Sequence, residues 1–117
     1  MIVEQSLVET ADAIASGEVS SREVVDACLV QIETQQPHLN CFTSIDAEEA
    51  QQAAAAADAA QTRGDTLGPL HGVPLAHKDL FYRTGKIATC ASEIRRIMTV
   101  HTTSTALARL EAAGSIT

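Results

Sequence analysis

Two serine–glutamate pairs in one register, Ser6-x-x-Glu9 and Ser20-x-x-Glu23, constrain the start of the chain more tightly than any other feature. A serine at a helix N-cap accepts a hydrogen bond from the backbone three residues on, and a glutamate there returns one, so each pair predicts a helix start. After the first pair, Leu7, Ala11, Ile14 and Ala15 fall on one helical face and Gly17 supplies the stop. After the second, Val24, Val25, Cys28, Leu29 and Ile32 form a stripe expected to end before Pro37. Together they predict an N-terminal helical hairpin over residues 5–36.

Residues 39–45 carry Phe42 and β-branched side chains and predict a short strand. Asp46-x-x-Glu49 then predicts the cap of a long helix running through the alanine tract 53–57 to Arg63 and closed by Gly64. Alanine favours helix but buries little area. Gln51, Gln52, Asp58 and Gln61 interrupt the tract, so this helix is expected to be partly exposed. Residues 65–72, rich in Gly and Pro, predict a loop, 73–81 a second strand, and 84–92 turn and coil. A last helix is expected over 103–113, with Ala106, Leu107, Leu110 and Ala113 inward and Gly114 ending it. Ser115, Ile116 and Thr117 then look like the first residues of another strand.

Helices alternating with strands define an α/β fold, and parallel strands need neighbours on both sides. We therefore expect one unit over residues 1–117: the helical hairpin, then from residue 39 the first strands and helices of a mixed sheet that stops in mid-motif. With aromatic residues at 3% and no tryptophan, the core must be built from Ala, Val, Leu and Ile, which is thin for an independent fold. An unfinished sheet edge would favour self-association into a homo-oligomer.

Fifteen acidic against eight basic residues give a net charge of −7, and Arg95-Arg96 is the only basic cluster, which argues against direct binding to nucleic acid. Cys28, Cys41 and Cys90 are odd in number and lack CxxC spacing. They predict small buried hydrophobes in a reducing compartment, not a disulfide frame or a zinc site. No apolar run approaches the roughly 18 residues of a membrane helix, and the N-terminus lacks a basic region followed by an apolar one. The expectation is a cytoplasmic protein without a membrane partner.

The residue that calls for explanation is Lys78, at the far end of the 73–81 segment. In a strand, Ala76, Lys78 and Leu80 share one face and Leu75, His77 and Asp79 the other. Such a lysine either sends its tip to solvent from an edge strand or sits buried, where desolvation disfavours the ammonium and makes the amine a usable base. Asp79 is expected to be a structural acceptor for loop amides. His71 and His77 suggest a metal, yet no third ligand has suitable spacing, so packing is the better reading and no metal is implied. Ser92 is either a turn serine or the border of a site, and Cys90 is expected to pack.

The strings "GPLHGVPLAHKD", "TGKIATCAS" and "HTTSTALARLEAAGSIT" give these residues a context. Over essentially its whole length the chain resembles the N-terminal part of the amidase-signature family of amide hydrolases, most specifically through Gly72, Val73, Pro74, Lys78 and Asp79. The resemblance implies a Ser–cis-Ser–Lys triad in which Lys78 is the base, no cofactor, and a small-molecule amide substrate. Of that triad only Lys78 is matched. No Gly/Ser-rich segment that could carry the two serines lies within residues 1–117, so the chain by itself is expected to be inactive and its partner to be the remainder of the amidase chain.

Within the family, "AHKDLFYRTG" and "EIRR" lean toward general amidases acting on linear or aromatic carboxamides. The "TCAS" segment leans toward the A subunit of a glutamine-dependent tRNA amidotransferase. The general amidase is the favoured reading. A reading of another class is a non-catalytic, shortened domain acting by self-association.

Overall fold

Both serine–glutamate pairs start helices as their spacing demands. In the computed structural model, which describes residues 2–117, α1 spans Leu7–Ser16 and α2 spans Ser21–Leu39, each with a reciprocal capping box. The Ser6 hydroxyl accepts from the Glu9 N–H at 3.3 Å while the Glu9 carboxylate accepts from the Ser6 N–H at 2.7 Å. Ser20 and Glu23 repeat the exchange. A three-residue 3₁₀ turn, Ile2–Glu4, precedes α1. Helix α3 covers Ala47–Arg63, a second 3₁₀ turn covers Glu93–Arg95, and α4 covers Thr105–Ala112. No helix among the described residues is long and apolar enough to cross a membrane.

Two neighbouring valines organise the core. On α2, Val24 and Val25 point about 100° apart, and each anchors its own cluster. Val24 packs with Ile14 of α1 and Val73, and Val25 with Ala54 of α3 and Ile116. Each fully buried valine is worth about 1.5–3 kcal/mol. Helix α2 lies chiefly along α3, whereas α1 meets it through Ile14, so the expected hairpin forms its two helices but not a continuous seam between them. Leu7 and Ala15, expected on the inner face of α1, are exposed; Thr10 and Ala13 are buried instead.

Alanine in α3 serves a close approach: Ala54 is fully buried, and the rest of the helix is half-buried or exposed, as expected. Three of the polar residues that interrupt the tract turn out to be inter-helix ties. Asp58 Oδ1 and Oδ2 accept from the N–H groups of Ser21 and Arg22 at 2.7 and 3.1 Å, a cap on α2 supplied from another helix. Gln51 donates to Asp26 at 2.6 Å, and Gln61 donates to the Ile14 carbonyl at 2.8 Å.

Several expectations fail for identifiable reasons. Helix α2 does not stop before Pro37 but runs through it to Leu39, with Pro37 in its last turn, and it ends at Asn40 in the left-handed region (φ 47°). Residues 39–45 form no strand. The Gln36 side chain takes the place of a neighbouring strand: its Oε1 accepts from the Cys41 and Phe42 N–H groups, and its Nε2 donates to the Phe42 carbonyl at 2.8 Å. Asp46 precedes α3 without a capping bond, since its carboxylate is drawn to Lys86 at 3.0 Å. In α4, Leu107 is buried and Leu110 and Ala113 are half-buried, but Ala106 faces solvent.

The expected α/β sheet is present only in outline. Among the described residues the sheet pairing consists of two isolated bridges, Pro74 with Ile116 in parallel and Ile87 with Thr99 antiparallel. The parallel one begins the pairing anticipated at 115–117. Leu70 and Gly72 donate to the carbonyls of Ala113 and Gly114, Ile116 donates to Val73, and Leu75 donates to Ile116 at 2.7 Å. Pro74 is tolerated because the bonds fall on its neighbours, so its missing N–H is not needed.

Candidate active-site segment

The segment that carries Lys78 is anchored at its start by close backbone contact. At Gly72, φ is +72° and an added Cβ would lie 2.7 Å from Ser21 Cβ and Oγ, so glycine is required on both counts. The closeness is used: the fully buried Ser21 hydroxyl donates to the Gly72 carbonyl at 2.6 Å. One residue earlier, His71 Nε2 lies 2.9 Å from the Ala57 carbonyl, placing its proton on Nε2.

Past Leu75 the chain leaves the core. Ala76, His77 and Lys78 are exposed, and the strand expected over 73–81 ends after its first residues because the pairing ends at Leu75. Lys78 is the last residue before a turn. Its carbonyl accepts from the Leu80 and Phe81 N–H groups at 2.7 and 3.1 Å. The Lys78 side chain has no hydrogen-bond or ion-pair partner among the described residues. Lys78 is therefore exposed, but from coil and not from an edge strand, and the burial expected of a base is not achieved by residues 2–117.

Asp79 behaves as a loop acceptor. Its Oδ1 accepts from the Thr89 N–H at 2.9 Å, its Oδ2 accepts from the Thr89 hydroxyl, and its carbonyl accepts from the Cys90 N–H at 2.9 Å. The Thr89 hydroxyl oxygen accepts in turn from the Ala91 N–H at 3.1 Å. Cys90 and Ala91, φ 50° and 58°, occupy the left-handed region that non-glycine residues enter only when neighbours hold them there. A second tie closes the loop. The Arg95 guanidinium donates to the Tyr82 hydroxyl, stacks 5.2 Å from the Tyr82 ring centre, and donates through Nε to the Ala88 carbonyl at 3.3 Å.

The other lysine of the chain is treated in the opposite way. Lys86 pairs with Asp46 and Glu49, and Arg83 bridges Glu49 and Glu111 at 2.9 and 2.8 Å, so α3, the 82–86 segment and α4 share one ionic network. The Lys86 hydrogen bond holds the Glu49 carboxyl below its ordinary value. This network also lines a cavity of about 300 Å³ with Ser115 and Thr117. A wider apolar groove of about 690 Å³ lies between α2 and α3, lined by Leu29, Val30, Ile32 and Ile45. Lys78 lines neither.

The remaining candidates are dispersed. His77 is exposed, Ser92 is half-buried and donates its N–H to the Thr89 carbonyl, and its side chain makes no cap bond. Of the cysteines expected to be buried, Cys41 and Cys90 are exposed, because 41–45 hangs on Gln36 and 90–91 forms the tip of a turn. Cys28 is half-buried, and burial raises its thiol. The Asp58 cap, the Arg83–Lys86 network and the Arg95–Tyr82 stack had no signal in the sequence. Their partners are 13 to 40 residues apart with no periodic relation.

The segment from the Gly72-Val73-Pro74 turn to Lys78 and Asp79 lies within the stretch of this chain that the amidase family model covers. That model matches residues 23–117, and the chain belongs to the amidase family. It is 40% identical over 113 residues to the A subunit of the glutamyl-tRNA(Gln) amidotransferase of Halorhodospira halophila, covering 97% of this chain and 23% of that protein. It is 44% identical over 93 residues to the corresponding protein of Acidothermus cellulolyticus, covering 80% and 18%. Among solved structures it superposes on fatty acid amide hydrolase with a TM-score of 0.91 at 28% identity, over 98% of this chain and 20% of that one. It superposes on a bacterial aryl acylamidase of the amidase-signature family at 0.90 and 28%, over 96% and 24%. The chain therefore spans about a quarter of the length of the relatives it matches.

Proposed function

We propose that this chain supplies the N-terminal part of an amide hydrolase, with Lys78 as the base of a Ser–cis-Ser–Lys relay whose two serines belong to the remainder of the amidase core. The observation that carries the reading is the unpaired Lys78, set in the Gly72-Val73-Pro74-x-x-x-Lys78-Asp79 frame and projecting from an anchored turn. In the relay the neutral amine takes a proton from the bridging serine as that serine takes one from the nucleophile. The nucleophile's oxygen then bonds to the amide carbon, ammonia or an amine leaves with a proton, and water releases the acid. Burial of Lys78 by the remainder would make the neutral form accessible. The α/β sheet belongs to the same proposal, with the parallel bridge at Pro74 and Ile116 as its starting edge.

The test is Lys78→Ala in the amidase that contains this segment together with the rest of the core. Amide hydrolysis should disappear while the helical circular dichroism is kept; wild-type turnover by the folded variant would refute the reading. A second reading within the family is the A subunit of a tRNA-dependent amidotransferase, supported by the 40% and 44% identity to proteins of that name and by Thr89-Cys90-Ala91-Ser92. Ammonia released from glutamine, with linear and aromatic carboxamides left intact, would select it.

A further inference from the structure

Resting on the assignment of Lys78 as the base, we infer that Asp79 is a positioning residue for Lys78. Three hydrogen bonds fix Asp79 to a segment ten residues further along: both carboxylate oxygens are taken by Thr89, and the carbonyl by the Cys90 N–H. The anchor lies one peptide from Lys78, whose own carbonyl is fixed by the Leu80 and Phe81 N–H groups, so the Lys78 backbone has little freedom to move or to turn. The far side of the clamp is equally determined. Thr89 accepts from the Ala91 N–H, Cys90 and Ala91 are held at positive φ, and Arg95 ties Ala88 to Tyr82. Backbone held in this way is what a reacting group needs if its approach to a proton is to be set before substrate arrives.

The clamp also settles what Asp79 does not do. A carboxylate beside a lysine in sequence could neutralise it, as Asp46 and Glu49 neutralise Lys86. Both Asp79 oxygens accept from Thr89, and the Lys78 side chain has no partner among the described residues. The role assigned to Asp79 is geometric, since the contacts of its carboxylate are with the Thr89 amide and hydroxyl.

The experiment compares Asp79→Ala, Asp79→Asn and Lys78→Ala in the amidase containing this segment and the rest of its core, reading kcat and KM on a carboxamide substrate. Displacing the base without altering the binding pocket should lower kcat about a hundredfold in Asp79→Ala and leave KM within about twofold of wild type. Asparagine can accept from the Thr89 N–H and donate to the Thr89 hydroxyl, so Asp79→Asn should recover kcat to within about tenfold of wild type. An Asp79→Ala protein that melts earlier but turns over normally when folded would overturn the inference, as would an Asp79→Asn variant as damaged as Asp79→Ala. If Lys78→Ala is inactive while both Asp79 variants are normal, the positioning role alone falls. If Lys78→Ala is fully active, the base assignment falls and takes this inference with it.

Discussion

Replacing Gly72 by alanine tests whether the turn that leads to Lys78 is fixed by contact with α2 or only by its own backbone preference. Alanine at φ +72° costs about 1–2 kcal/mol for the left-handed conformation. The added Cβ would also sit 2.7 Å from Ser21 Cβ and Oγ. Ser21 is fully buried in the first turn of α2 and cannot swing away, so the overlap should cost a further 1–3 kcal/mol, roughly, as in an overpacked core. Gly64 provides the internal comparison: its φ is +77°, but nothing lies within 4 Å of an added Cβ. Gly64→Ala should therefore lose only the conformational part, and Gly72→Ala should be the less stable of the two by about 1–3 kcal/mol. Urea unfolding followed by far-ultraviolet circular dichroism at unchanged slope gives both values. Equal losses, within about 0.5 kcal/mol, would refute the packing argument and leave backbone preference as the whole cost.

Two further outcomes follow from the polar contacts. Asp58→Ala should destabilise the protein by about 0.5–2 kcal/mol through the orphaned Ser21 and Arg22 amides, while Asp46→Ala, which removes no capping bond, should not weaken α3 by that route; urea midpoints of the two variants check this. For Lys86 the signs are opposite on its two sides. The Glu49 carboxyl lies below its ordinary 4.5, chiefly through the Lys86 hydrogen bond, so its contribution is present above pH 4.5 and fades as pH falls through the lowered value. The ammonium lies above its ordinary 10.5, chiefly through its hydrogen bonds to Glu49 and then Asp46, so its contribution is complete below pH 10.5 and fades above it. Wild type should exceed Lys86→Met by about 1 kcal/mol or less at pH 7, since the pair is partly exposed. The gap should narrow below pH 4.5; a gap that stays constant down to pH 3 would refute the pairing.

What could be read from the sequence was whatever depends on near neighbours along the chain. Ser6 with Glu9 and Ser20 with Glu23 are three residues apart, Gly17 and Gly64 adopt the left-handed stop, and the α2 stripe at 24, 25, 28, 29 and 32 faces inward. Each of these depends on one helical turn. The errors arise where a distant group overrides a local signal. Asp46 has the type and position of a cap, but Lys86, forty residues away, takes its carboxylate. Residues 39–45 have strand composition, yet strands exist only as pairs, and Gln36 offers these amides a partner before any strand can. The segment 73–81 has the right alternation, but its pairing reaches only to Leu75 because Ile116 pairs with 73–75 and no further.

The candidate site divides along the same line. The string Gly-Val-Pro-x-x-x-Lys-Asp was enough to single out Lys78 and to cast Asp79 as an acceptor, since both follow from identity and order. What identity and order do not contain is the commitment of each charge. The chain has two lysines, eight residues apart, both with acidic residues nearby in sequence or space. Lys86 is absorbed into a network with Asp46 and Glu49, whereas Lys78 stands outside any such network and the carboxylate beside it is bonded to Thr89. A structural lysine and an unpaired one therefore differ here together with the partners of the carboxylates near them, two hydrogen bonds across ten residues in the case of Asp79. That is why Thr89 has as much bearing on the candidate site as Asp79. Its hydroxyl and its amide hold the carboxylate, and its own position depends on Cys90 and Ala91 keeping a backbone conformation that side chains disfavour.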